Sequence, residues 1–473
     1  MESQILCASI SCKCDDRQVA AIAKMSDIDF FAIFFSNLPL FLMAMLLMTS
    51  LLYLSVRNTT LAGYFDPIHF YWTFTFGTAY GIIISLYVLG FIENYLFLMV
   101  SGYGILFIVS FRFFIQVLTN PFKKVIDLFL VPVDDGYVEF LFALVCYLLL
   151  ILTIMWFVGL GMFAETNRFE QNRGFGAFVR LADALRLFVV AYISLLILNR
   201  YKKNGRPSFG AFLLIIFFIL LIVLGAVVNG SKFALLESIY AIVLAVCIYR
   251  EKPKFKVFAV VATFSVILGF ALLVLSINLD KSGFDKDAGP AYMAGNSVLL
   301  ERLLLRVLAN ADKYYFSLPG NVVDNLEVDS VIVRFISPLI GETQMSALLG
   351  YNVGDYGLGR QTIMYHYPSF DVAGGPTSHF DLFAYVFFGL GFGWIFVIFV
   401  SFVLSSLLLL TKTGKNNIFY SALVAAFWLR GLALLLEPPM GLAYVFDIFI
   451  LFFIVKVFGL CVKSKIILNK DAL

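Results

Sequence analysis

A chain of 473 residues that is 61% hydrophobic and only 14% charged is far from a soluble domain, in which about 25% of residues carry charge. Its apolar stretches recur and exceed the roughly 18 residues that cross a bilayer, so soluble enzyme, secreted domain and nucleic-acid binder are poor fits and an all-α polytopic integral membrane protein is expected. The net charge of +3 is too small to define a partner; the positions of the basic residues carry the information.

Residues 1–29 read as an N-terminal tail with Cys7, Cys12 and Cys14. The spacing Cys12-Lys13-Cys14 has no second pair to complete a zinc site. No charged segment followed by a short apolar core and a small-residue site is present, so no cleaved signal peptide is expected. Met25 directly precedes Ser26-Asp27-Ile28 and an apolar run, and is an alternative start. About eleven spans are expected, near 30–55, 67–91, 95–118, 137–162, 181–199, 209–228, 233–249, 257–277, 382–410, 418–436 and 442–461. The first eight fill 30–278, a large loop occupies 279–380, the last three fill 381–462, and 463–473 is a C-terminal tail.

The linkers sort by charge. Lys123 and Lys124, then Arg200, Lys202, Lys203 and Arg206, then Arg250, Lys252, Lys254 and Lys256, then Lys412 and Lys415, and finally Lys463 and Lys465 follow alternate spans. Basic linkers stay in the cytoplasm. The linkers at Glu93, at 165–176, at Asn229-Gly230 and at Glu437-Pro438-Pro439 are expected outside, together with the large loop, and the C-terminus inside. The loop has no cysteine and is not a disulfide-stapled domain.

Within the loop, Asn296 to Phe316 predicts one amphipathic helix, with Leu300, Leu303, Leu304, Val307, Leu308, Ala311 and Tyr315 on one face and Arg302, Arg306 and Lys313 opposite. Such a helix either lies on the membrane with its basic face toward headgroups, or its arginines hold a phosphate-bearing lipid. Beyond it, prolines and glycines from Pro319 to Gly359 mark an irregular binding-loop type of segment.

Four groups of residues bear chemistry. Lys232, after Asn229-Gly230-Ser231, opens a helix at its positive end and either binds an anion or snorkels and pairs with Glu237 about one turn further in. Arg360, Tyr365, His366 and Tyr367 offer a guanidinium for phosphate and rings for sugars, or form an ordinary solvated loop. His379, in Pro376-Thr377-Ser378-His379-Phe380-Asp381, is a natural general base where the loop returns to the membrane, or an anchor of the helix end. Arg180 and Arg186 flank Asp183, and Arg430 lies inside a span, where an arginine faces a polar cavity or a carboxylate such as Asp447. No Walker loop or nucleophile elbow is present, and His69, His366 and His379 are too scattered for a metal cluster.

The succession of short-looped spans, Gly230-Ser231-Lys232 at a helix edge, an arginine-bearing loop, and Gly-Pro-Thr-Ser-His-Phe-Asp-Leu-Phe-Ala-Tyr-Val-Phe-Phe-Gly-Leu-Gly resembles the Wzy-type O-antigen and capsule repeat-unit polymerases of bacteria. It also resembles the related O-antigen ligases. The lysine at 232 departs from the arginine common in that family. The resemblance implies a glycosyltransferase of the inner membrane that joins undecaprenyl-pyrophosphate-linked oligosaccharides, without cofactor, metal or nucleotide sugar. It implies His379 and Arg360 as catalytic groups, with Lys232, Arg302, Arg306, Tyr365, His366, Arg180 and Arg430 on the substrate. Membrane lipid, a chain-length regulator and a flippase are the implied partners, and no nucleic acid is expected. The alternatives are a ligase that delivers glycan to lipid A core and a flippase or other transporter of lipid-linked oligosaccharide.

Overall fold

A computed structural model describes residues 25–119, 136–161, 174–204, 209–229, 232–250, 297–370, 375–412 and 416–470, with isolated positions between 262 and 276. Every regular element among the described residues is helical, and eight helices are long and apolar enough to cross a membrane. The expected span at 257–277 lies mostly outside the described residues, as do 1–24 and the first part of the large loop.

The expected first span is two helices, α1 (Asp27–Ser36) and α2 (Leu38–Val56). Ser26 and Asp29 close a capping box at the start of α1, and Asn37 with Pro39 in the first turn of α2 divides the run. The second span starts as a π-helical segment, His69–Phe74, and continues as α3 (Thr75–Val88). Gly77 and Gly81 lie against the backbone of Thr49 and Met45, so α2 and α3 approach as closely as small residues permit.

Next come α4 (Asn94–Val117), α5 (Tyr137–Phe157), α6 (Gly176–Asn204), α7 (Phe209–Asn229) and α8 (Lys232–Tyr249). The large loop holds α9 (Val298–Leu308), α10 (Asp312–Ser317), α11 (Val331–Ile340), α12 (Glu342–Leu349) and α13 (Leu358–His366). The chain closes with α14 (Phe380–Leu410), α15 (Ile418–Gly431) and α16 (Pro438–Lys470). Every residue of α15 is buried, and α6, α8, α14 and α16 surround it; α7 is peripheral.

The loop does not hang free. Asn321 Nδ2 donates to Glu93 Oε1 at 2.5 Å, Gln344 Nε2 donates to Gly174 O at 3.3 Å, and Ser378 Oγ donates to Glu437 Oε1 at 2.7 Å. Three of the linkers expected on the loop's side of the membrane are thus in contact with it.

Two expectations need correction. The helix expected from Asn296 to Phe316 breaks after Leu308: a 3-10 turn at Ala309–Ala311 rotates the register, so that Lys313 turns inward while Tyr315 stacks on Phe30 at 3.9 Å. Only α9 keeps the amphipathic surface character. The ninth span is not straight either. Gly389 takes φ 65 and ψ −178, and the preceding turns fold back on those that follow, with Phe383 and Phe396 rings 5.3 Å apart. Thirteen residues of straight helix would separate those rings by about 20 Å. Tyr103 Oη donates to Gly389 O at 3.3 Å and holds the turn.

At Gly389 a β-carbon would meet no neighbour, so substitution there is opposed by backbone strain alone; Gly391 has equally open surroundings and ordinary φ. Gly389→Ala is expected to cost about 1–3 kcal/mol, whereas Gly391→Ala is expected to be neutral or to stabilise by up to about 1 kcal/mol. Thermal unfolding of the two variants in the same detergent checks the difference.

Candidate functional site

His379 is the centre of the described site. It is the N-cap of α14, held at φ 36 and ψ 144, a conformation a non-glycine residue adopts only under constraint. The constraint comes from the turn before α16: His379 N donates to Leu436 O at 2.8 Å, and Ser378 N and Oγ each donate to a Glu437 oxygen at 2.7 Å. From the other side α13 braces Gly375 and Pro376, because a β-carbon on Gly359 would overlap Pro376 O. Two loop segments and the start of α16 therefore aim one imidazole.

The imidazole points into a closed polar chain. Lys313 Nζ lies 3.2 Å from His379 Nε2, and Tyr314 Oη lies 2.9 Å from Nδ1. Tyr314 Oη is 2.7 and 2.8 Å from the two oxygens of Asp381, and Tyr80 Oη donates to Asp381 Oδ2 at 2.9 Å. An ammonium can only donate, so Nε2 is the acceptor and the proton sits on Nδ1. Nδ1–H then donates to Tyr314, and Tyr314 donates to Asp381. Lys313 is 3% exposed and Tyr314, His379 and Asp381 are 0% exposed. Lys313 also donates to Asn310 O at 2.8 Å and Thr377 Oγ1 at 3.2 Å, and sits 3.3 Å from Asp312 Oδ1. Phe76 lies 4.5 Å from the imidazole ring and seals its other face.

Burial, reinforced by the Lys313 charge, holds the His379 pKa well below its ordinary 6.5. The imidazole is neutral at neutral pH, with its base nitrogen beside a cation. The unfolded chain gains a proton on this histidine as pH falls through about 6.5 and the folded chain refuses it, so this group's contribution to stability is lost below that pH, at about 1.4 kcal/mol per pH unit. Glu437 acts in the opposite sense, because burial raises its carboxyl against the lowering effect of its bonds from Ser378, and the folded chain keeps that proton more readily as pH falls. The difference between wild type and His379→Gln isolates the histidine: wild type is expected to lose stability more steeply between pH 6.5 and 5, as unfolding at a series of pH values would measure.

The other expected site residues divide into two groups. Arg360 turns its guanidinium to Phe370 O at 2.7 Å, the Phe370 ring at 5.1 Å and Asp355 Oδ1 at 3.4 Å, which braces the loop's own backbone. His366 Nε2 lies 2.8 Å from Phe316 O, and Tyr365 is half-buried with its ring 5.7 Å from that of His366. His366 thereby ties α13 to α10. Arg306 is exposed on α9 and Arg302 is half-buried. Lys232 opens α8, and its side chain lies outside the described residues.

The second group is a buried ion cluster among the spans. Arg186 NH2 lies 2.8 Å from Glu237 Oε2 and 3.1 Å from Asp183 Oδ1. Arg430 lies 3.5 Å from both carboxylates, with its guanidinium 4.3 Å over the Tyr444 ring. Asn229 Nδ2 donates to Asp183 Oδ2 at 2.6 Å. Arg180 Nε meets Asp447 Oδ2 at 2.5 Å and its NH1 donates to Pro338 O in α11. One expected pairing is thereby replaced: Asp447 belongs to Arg180 rather than Arg430. Glu237 faces Arg186 and Arg430, and its expected pairing with Lys232 lies outside the described residues. Each cation has an opposite charge within reach, as burial at such depth requires.

Sequence reading did not single out Lys313, Tyr314 or Tyr80. Helical spacing carried unbroken through Asn310 and Asp312 put Lys313 on the outer face, and the only hint of a break is that both are poor helix formers. Asp381 stood too close to His379 to be given a role, and the structure links the two through Tyr314. Among the described residues no group of His, Cys, Asp and Glu is placed to hold a metal ion. Comparison with family models, with curated proteins and with solved structures finds no match for this chain.

Proposed function

We propose that the protein joins lipid-linked oligosaccharide repeat units on the outer face of the bacterial inner membrane, as a Wzy-type O-antigen or capsule polymerase. The observation that carries this reading is a neutral imidazole whose base nitrogen is 3.2 Å from an ammonium and whose other nitrogen leads through Tyr314 to a carboxylate. Glycosyl transfer from a pyrophosphate carrier needs a base for the attacking hydroxyl and a cation for the departing phosphate. His379 and Lys313 supply the two side by side.

In this mechanism the donor's pyrophosphate draws the Lys313 ammonium away from Nε2. The freed nitrogen takes the proton of the acceptor sugar hydroxyl while that oxygen attacks the anomeric carbon. The carbon–oxygen bond to the pyrophosphate breaks, and its electron pair leaves on the phosphate oxygen as undecaprenyl pyrophosphate. The imidazolium keeps its Nδ1 proton on Tyr314, whose bond to Asp381 stabilises the charge. Arg302, Arg306 and Lys232 are assigned to carrier and glycan contacts, and the eleven-span topology with the loop outside is the arrangement in which this site works. Contacts of the loop with Glu93, Gly174 and Glu437 support that topology. In the state described the site is closed, so donor binding has to part α10 from residues 377–379.

One observation favours a second reading. Arg186, Arg430, Asp183 and Glu237 lie buried among the spans, where a flippase for lipid-linked oligosaccharide would carry charge. Deletion followed by sizing of the surface glycan separates the classes. Loss of the proposed polymerase leaves lipid A capped with a single repeat. Loss of a ligase leaves polymer on the carrier, and loss of a flippase leaves single repeats facing the cytoplasm.

A further inference from the structure

A separate cavity of about 750 Å³ opens between α2, the π-helical start of the second span and α8. Its size is that of a small-molecule or lipid site. The rings of Tyr53, Tyr64, Phe70 and Tyr240 form the wall, and its edge residues Leu54, Tyr64 and Phe74 are exposed. α2 is long and apolar enough to cross a membrane, and the exposed edge lies along its last turns.

The inner end is polar and compact. His69 lies 5.3 Å from the Tyr53 ring, and its Nδ1 is 3.1 Å from Thr73 Oγ1. Ser50, at the exposed edge of α2, adds a hydroxyl whose own proton goes to Leu46 O at 2.8 Å, while Thr49 Oγ1 packs against Gly77. The π-helical turn places His69 and Thr73 on the cavity face, and Thr75 Oγ1 donates to Phe70 O at 2.9 Å across the widened ring. Irregular turns of this kind commonly mark functional positions.

The charge of the lining decides the headgroup. No lysine or arginine is among the described lining residues, and the one carboxylate is Asp66. That carboxylate accepts from Leu61 N at 2.6 Å, Ile68 N at 3.0 Å and Ala62 N at 3.3 Å, so it locks the preceding turn. A lipid phosphate placed among His69, Thr73 and Ser50 would lose its hydration beside a buried carboxylate with no cation in the lining to offset it; Arg57, whose charge acts on Tyr53, lies beyond the lining. A neutral hydroxyl has no charge to desolvate and can donate to Ser50 Oγ or Thr73 Oγ1, which keep acceptor capacity beyond their bonds to Leu46 O and His69.

We propose that this cavity binds an uncharged, hydroxyl-headed lipid of the diacylglycerol type, its hydroxyl among His69, Thr73 and Ser50 and its first tail carbons against Tyr53 and Tyr240. The site uses none of the residues assigned to glycan transfer, so it stands or falls without that reading.

The test uses the full chain in phosphatidylcholine nanodiscs with photoactivatable dioleoylglycerol, and with phosphatidic acid carrying the same tails. Crosslinks to the diacylglycerol are expected within 49–74 and at Tyr240, saturable by unlabelled dioleoylglycerol, and at least tenfold stronger than with phosphatidic acid. Ser50→Trp, at an exposed position, fills the cavity and is expected to abolish them with an unchanged unfolding temperature. His69→Leu keeps the apolar wall and is expected to weaken them about fivefold to tenfold. Equal crosslinking by both lipids overturns the headgroup assignment. Crosslinking that is unsaturable or indifferent to Ser50→Trp overturns the site.

Discussion

Replacing His379 with glutamine is expected to lower glycan polymerisation by about 10²–10⁴-fold, the range for loss of a positioned general base. Glutamine is chosen because its amide can still accept from Lys313 and donate toward Tyr314, so the closed chain survives and the loss is chemical. Tyr314→Phe should give a smaller loss, because it removes the bond that orients Nδ1 and leaves Nε2 in place. Lys313→Met should resemble His379→Gln, since it removes the cation beside the leaving phosphate. The readout is the length distribution of surface glycan at matched protein abundance. If both His379→Gln and Lys313→Met polymerise at the wild-type rate, the proposed chemistry is wrong. Arg360→Ala discriminates further: its guanidinium braces Phe370 and Asp355, so it should act through loop stability and lower thermal resistance together with activity.

The second large effect is structural. Arg430→Met removes a cation from within 3.5 Å of Asp183 and Glu237 and leaves those carboxylates, among the described side chains, with Arg186 as their cation. Breaking one side of a buried ion cluster costs about 3–5 kcal/mol. Adding Glu237→Gln removes the surplus charge and should restore a substantial part of that stability. Unfolding in detergent, with the single and paired variants compared, measures both. If Arg430→Met keeps full stability and loses only glycan affinity, Arg430 is a substrate contact and the electroneutral cluster is not what holds these spans.

The all-helical character, the apolar runs of span length and most helix positions were legible because each rests on short-range pattern. Apolar runs of span length, basic residues after alternate runs and a histidine beside an apolar run need no knowledge of distant contacts. What the sequence concealed depends on register and on long-range partners. One 3-10 turn at Ala309–Ala311 moves Lys313 from the outer face into the core, and helical spacing alone cannot foresee it. The Gly389 turn hides inside an unbroken apolar run, because a glycine with positive φ has the same one-letter code as one that merely packs closely. Tyr80 meets Asp381 across 301 positions of chain, and Arg180 meets Asp447 across 267. Carboxylates could be matched to arginines only by guesswork, and the guess of Arg430 with Asp447 chose the wrong one of two nearby cations.

Purified protein reconstituted with undecaprenyl-pyrophosphate-linked single repeats, with no nucleotide and no other protein, tests the central claim most directly. The account predicts that wild type converts them to dimers and longer chains with release of undecaprenyl pyrophosphate, and that His379→Gln leaves single repeats. Translocation of intact repeats across the bilayer without any lengthening, equal in wild type and His379→Gln, would contradict it.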